Sequence, residues 1–188
     1  MFRHVPATLA RETEQGVASR NSGMINDNAE SGLGTATDLL KLLPHRYPFL
    51  LIDRIMDMDG DRSATGIKHV SVNELYLQGH FPGNQVMPGT LLIEGMAQTA
   101  GALYALHCLE AFGKPPLIYF VAIDKAHFHR SVVPGDTVHY HVQKMRNRGR
   151  VWRFRGRAVV DGTLVAEAEV GAVIVEDGAS GVTPHTLP

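Results

Sequence analysis

Hydrophobic and polar positions divide the chain into a nearly featureless start, one long apolar run and several alternating segments. Residues 1–36 are rich in Gly, Ser, Asn, Thr and Glu, show no hydrophobic period, and read as a disordered extension. Thr37–Leu43 predicts a short helix, capped by Thr37 or Asp38 and ended by Pro44. Pro44 and Pro48 bracket an extended segment that cannot be helix interior. Phe49–Met58 is first continuously apolar and then alternating, which predicts a strand. Asp59-Gly60-Asp61 is a turn signal, so Ser63–Val70 completes a hairpin. Asn73–Gly79 reads as a loop that leads to His80.

From Pro88 or Gly89 to about Glu110 the chain is apolar nearly all round, and Gly113 lies just beyond. That pattern predicts a long buried helix. Glu94, Gln98 and His107 interrupt it and Gly95 and Gly101 thin it, which fits a central helix gripped by a sheet better than a membrane span. After Pro115-Pro116 the pattern turns to strands: Leu117–Ile123, closed by Asp124-Lys125, then Ala126–Val133 as extended chain and Pro134-Gly135-Asp136 as a turn. Thr137–Arg146, Val151–Val160 and Thr163–Val175 follow as strands, joined by turns at Asn147–Arg150 and at Asp161-Gly162, a type I′ signal. Hairpin, long helix and antiparallel meander predict an α+β fold with one antiparallel sheet wrapped on a central helix. The domain spans 37–176, between the N-terminal extension 1–36 and a C-terminal tail 177–188.

Composition narrows the function classes. The 188 residues, 44% hydrophobic and 20% charged, suit one globular domain with a tail. A net charge of −1 gives no field favouring nucleic acid or an anionic membrane. Cys108 is the single cysteine, so no internal disulfide and no cysteine-based zinc site is expected; it reads as a small core hydrophobe. His127 with His129, and His139 with His141, share strand faces, but two histidines are a weak metal signal and no metal is expected. No secretory-type apolar run opens the chain, and no Gly-x-Gly-x-x-Gly occurs, so neither a signal peptide nor a dinucleotide cofactor is expected.

The chemistry concentrates in residues 79–98. His80 sits in a loop punctuated by Gly79, Pro82, Gly83, Pro88 and Gly89, which limits its freedom and suits a general base. Glu94 follows fourteen positions later on the apolar helix, where burial favours a protonated carboxyl able to donate a proton. A core Glu satisfied by a neighbouring group is the plain alternative. The helix start at Gly89-Thr90 offers free N–H groups and the positive end of the dipole to an oxyanion. A base, an acid and an oxyanion donor suit removal of a proton α to a carbonyl with loss of a β-hydroxyl. No Gly-x-Ser-x-Gly nucleophile setting occurs.

Five stretches in order carry a resemblance: Leu43–Arg54 (LPHRYPFLLIDR), Gly79–Gly83 (GHFPG), Met87–Gly89, Glu94–Gln98 (EGMAQ) and Val132–Asp136 (VVPGD). Over about residues 37–176 the chain resembles the (3R)-hydroxyacyl-[acyl-carrier-protein] dehydratases of type II fatty acid synthesis, FabZ type. The resemblance implies the hot-dog fold, dehydration without a cofactor, His80 and Glu94 as catalytic residues and the Gly89 amide as oxyanion donor. It implies a homodimer in which His80 of one chain faces Glu94 of the other, dimers assembling as hexamers, acyl carrier protein as partner and a cytoplasmic location. Tyr119 matches a tyrosine that gates the acyl tunnel in some relatives. Glu94, where the dehydratase/isomerase branch usually carries Asp, favours plain dehydration. Thr90, in place of an apolar residue, sets a hydroxyl beside the oxyanion position, and Ser131 stands where Pro is common. Arg153, Arg155 and Arg157 on one strand face, or Lys125 and Arg130, are candidates for carrier docking, against the plain reading of a solvated face. A hot-dog thioesterase and a non-catalytic acyl-binding subunit are the competing classes.

Overall fold

The computed structural model describes residues 36–113, 117–145 and 151–175. The expected extension and tail, and the turn at Asn147–Arg150, lie outside the described residues. Helix α1 (Ala36–Leu42) precedes the hairpin of β1 (Arg54–Asp59) and β2 (Ser63–His69). Then come a short helix α2 (Leu75–Gly79), the long α3 (Gly89–Phe112), and strands β3 (Leu117–Phe128), β4 (Thr137–Lys144), β5 (Val151–Val160) and β6 (Thr163–Val175).

The six strands form one antiparallel sheet in the order β1-β2-β4-β5-β6-β3. Its concave face closes on α3, whose Met96, Ala102, Leu103 and Ala105 are buried together with Val138, Tyr140, Ala158 and Val165 of the strands. At 24 residues α3 is about 36 Å long, and its apolar residues have contact on nearly every side because α1 covers part of what the sheet leaves. Three glycines let the helix sink into the sheet. A Cβ on Gly66 of β2 would lie 2.1 Å from Thr99 Oγ1, one on Gly156 of β5 2.6 Å from Met96 Sδ, and one on Gly95 2.4 Å from Tyr140 Cζ. Gly113 ends α3 in the left-handed region at φ 76°, its N–H bonded to the Leu109 carbonyl. Asp161 (φ 48°) and Gly162 (φ 73°) both take positive φ, the type I′ geometry their sequence predicts.

Four expectations need correction. The strand expected from Phe49 is assigned only from Arg54, with pairing to β2 beginning at the Asp53 N–H to the Ile67 carbonyl at 2.7 Å, because Gln98 of α3 takes the Leu51 N–H at 2.8 Å before a neighbouring strand can. The loop expected over Asn73–Gly79 contains α2, pinned by the fully buried Leu77. Asp124-Lys125 does not close a strand: Lys125 takes φ 49° in a bulge and β3 stays paired with β6 on both sides of it. The meander is also interrupted, since β3 crosses to the far edge beside β6 while β4 pairs with β2.

Candidate active site

The loop after α2 holds His80 in one pose. Its carbonyl accepts the Val86 N–H at 2.9 Å, and Phe81 and Asn84 exchange two backbone bonds of 3.0 Å inside the loop. Gly83 turns the chain at φ 78°. His80 Nδ1 lies 2.7 Å from the Val86 carbonyl oxygen. A carbonyl only accepts, so Nδ1 carries the proton and the neutral ring presents Nε2 as its basic atom. This cleft is also lined by Gly89 and Thr90 at the start of α3, and by Phe128, Arg130 and Ser131. The Phe128 ring lies 2.8 Å from where a Gly89 Cβ would stand, so a side chain at this helix start would have to displace that ring. Pro88 precedes it without a side-chain cap, which leaves the first helical N–H groups to the cleft.

Glu94 lines a different cleft, with Pro44, His45, Phe49, Gln98 and Tyr119. Its carboxylate is not alone on an apolar face. Gln98, one turn on, donates from Nε2 to Glu94 Oε1 at 2.8 Å, and His45 Nε2 lies 3.5 Å from the same oxygen. Gln98 is 1% exposed and fully engaged: Nε2 also donates to the Phe49 carbonyl at 2.8 Å, and Oε1 accepts the Leu51 N–H. Its amide orientation follows from these partners, because only the NH2 end suits two acceptors. The segment Phe49–Leu51, Gln98 and Glu94 therefore form one hydrogen-bonded unit.

The structure thus brings His80, Gly89 and Thr90 into one cleft and Glu94 and Tyr119 into another within a single chain. Gln98 and His45 are the contacts that the residue pattern left unassigned. The Glu94–Gln98 spacing of four was a usable signal; the His45 contact joins positions 49 apart and had none. The charged rows on the outer sheet face are largely compensated. Arg153 bonds Asp124, Arg155 and Lys125 both bond Glu169, and Arg130 lies 4.0 Å from Asp136. Those pairs favour the plain reading of a solvated face over a carrier-docking patch. Cys108 is buried, as its apolar surroundings in the sequence suggest. Among the described residues no helix is long and apolar enough to cross a membrane, and no cluster of three or more His, Cys, Asp or Glu could hold a metal ion.

One antiparallel sheet curled round a single long helix is the hot-dog fold. The dehydratase heterocomplex ApeI:P from Xenorhabdus doucetiae superposes with a TM-score of 0.65 at 18% identity, over 74% of this chain and 91% of that one. A model of the FabA-like domain matches residues 43–169, and the chain belongs to that family. It is 56% identical over 139 residues to the 3-hydroxyacyl-[acyl-carrier-protein] dehydratase FabZ of Methylobacterium sp., covering 74% of this chain and 84% of the relative. It is 54% identical over 156 residues to the protein of that name from Allorhizobium ampelinum, covering 83% and 99%.

Proposed function

We propose that this chain dehydrates (3R)-hydroxyacyl-[acyl-carrier-protein] to the trans-2-enoyl product in fatty acid biosynthesis, with His80 as base and Glu94 as acid. Relatives named for this reaction are 54–56% identical to the chain over the aligned residues. The observation that carries the mechanism is the Nδ1–H bond of His80 to the Val86 carbonyl, which leaves Nε2 able to take a proton. Nε2 removes a proton from C2 of the thioester. Charge builds on the carbonyl oxygen, where the Gly89 N–H and the positive end of α3 stabilise it. Protonated Glu94 gives its proton to the C3 hydroxyl, which leaves as water while the C2–C3 double bond forms. Gln98 holds Oε1 by hydrogen bonding, so Oε2 is the atom that meets the hydroxyl. These steps call on no cofactor, and a carrier-bound substrate goes with a cytoplasmic location.

His80 and Glu94 line separate clefts, so the complete site takes one from each of two chains. Strand β3 lies at the sheet edge with Tyr119, Phe120 and Ile123 exposed. Such an edge calls for a cover, and a second copy supplies one. Dimers then assemble as hexamers, and Tyr119 stands at the mouth of the acyl site.

The test is hydration of crotonyl-carrier protein, followed by loss of enoyl-thioester absorbance. Wild type is expected to be active, and His80→Ala and Glu94→Gln to lose most of their rate while staying folded. Co-refolding the two inactive variants is expected to restore roughly a quarter of the activity, since half of randomly paired two-fold dimers carry one intact site of two. No restoration would refute the composite site. An inactive wild type on short and long acyl carriers would refute the dehydratase reading, and acyl-CoA thioester hydrolysis would be assayed next.

A further inference from the structure

A buried ion cluster lies outside both clefts. Lys68 of β2 is 6% exposed, with its ammonium 2.6 Å from Glu74 Oε1 and 3.4 Å from Asp53 Oδ1. Asp53 Oδ2 accepts the His69 N–H at 2.6 Å. The hydroxyls of Tyr76 and Tyr140 are buried and make no hydrogen bond among the described residues. Burial first, and then neighbours that include Asp53 and Glu74, push both phenols up, so both stay neutral.

A buried Lys–Glu pair does not by itself stabilise a fold, because desolvating both charges offsets their attraction. What this pair holds in place is more informative. Glu74 is the capping position just before α2, yet its side chain makes no bond to that helix; it reaches Lys68 instead. The residue just after α2, at its C-terminal cap, is His80. A five-residue helix has no stability of its own, so its placement comes from its ties. At one end the tie is Glu74 to Lys68; at the other, His80 to Val86. Between them Leu77 is fully buried and Tyr76 packs against the core, which seats the middle of the helix and leaves its two ends to these ties.

We propose that Lys68, with Glu74 and Asp53, is a positioning group for His80: the ion cluster clamps the start of α2 to β2, and the five-residue helix carries that placement to the imidazole. The proposal rests on His80 as the base. Lys68 touches no reacting atom, and its effect is on the pose of the ring.

The deciding variant is Lys68→Met/Glu74→Leu. It removes both charges together and leaves no buried charge unpaired, since the Asp53 side chain is 39% exposed and keeps the His69 N–H. This variant is expected to melt at or above the wild-type temperature, as apolar replacements of buried ion pairs do. Its kcat is expected to fall ten- to hundred-fold, in line with the ~100-fold that a misplacement of about 1 Å can cost, with KM for the carrier substrate unchanged. Imidazole NMR reads the pose without turnover: one sharp His80 signal set in the wild type, broadened or doubled in the variant. A folded variant with wild-type kcat, or with unchanged His80 signals, overturns the proposal. If the double variant does not fold, Glu74→Ala, which removes the acceptor and leaves Lys68 beside Asp53, is measured in the same two ways, and a wild-type result in either overturns the proposal. Activity retained in His80→Ala would instead overturn the assignment of the base, and the NMR result would still decide the clamp.

Discussion

Replacing Gln98 by leucine, similar in size, removes every hydrogen bond of its amide and leaves three partners. The Leu51 N–H is buried, with its residue 1% exposed, and loses its acceptor; an orphaned buried donor costs about 1–3 kcal/mol. Glu94 Oε1 loses a hydrogen bond of 2.8 Å, ordinarily about 0.5–1.5 kcal/mol net. Its side chain is 16% exposed, so water replaces part of that bond and the lower figure applies. The Phe49 carbonyl lies in an open segment and is rehydrated at little cost. Against these losses, leucine buries apolar surface worth about 1 kcal/mol more than the amide did. The net expectation is a loss of about 0.5–2.5 kcal/mol, or roughly 1–10 °C in Tm at 2–4 °C per kcal/mol for a chain of this size. Thermal unfolding by circular dichroism measures it, and the hydration assay on the same samples at 25 °C measures what happens to Glu94. kcat is expected to fall by at least tenfold, because the carboxyl loses the partner that orients it. A Tm within about 1 °C of wild type would refute the claim that Leu51 depends on Gln98. A lowered Tm with unchanged kcat would refute the claim that the amide orients Glu94.

Gly95→Ala puts a Cβ 2.4 Å from Tyr140 Cζ in a fully buried contact, and overpacking of about 1–3 kcal/mol is expected; Tyr140→Leu in the same chain is expected to relieve part of it, read as a positive coupling in a double-mutant cycle by urea unfolding. Burial first, then the charges of His139 and Arg157, hold the His141 imidazole below its usual 6.5. The unfolded chain therefore takes up a proton on acidification that the folded chain resists, so this contribution is complete above 6.5 and is lost as pH falls below it. His141→Gln is expected to flatten the decline of Tm between pH 7 and the folded-state value; an unchanged slope would remove His141 as its cause. Bonds from Lys125 and then Arg155 hold the Glu169 carboxyl below its ordinary 4.5, so a further loss of Tm is expected only below that pH, and Glu169→Gln is expected to remove it.

Local rules were enough for much of this molecule. The all-round apolar run with Gly113 behind it specified α3 to within two residues, because helix periodicity and a left-handed cap are properties of neighbouring residues. Asp161-Gly162 specified its hairpin for the same reason. The punctuated loop around His80 and the lone carboxylate at Glu94 stood out because each residue is unusual in its own stretch. Contacts between distant segments decided the rest. Gln98 withdraws Leu51 from pairing 47 positions away, so an apolar run that reads as a strand is held as a loop. Strand β3 joins β6 instead of β4, a choice among pairings that alternation leaves equivalent. The tautomer of His80 depends on a carbonyl six residues on, through a loop that must close first. Only the folded chain also places His80 and Glu94 in different clefts: sequence separation sets how far apart two side chains can be, and the packing of α3 on the sheet sets which way each one faces.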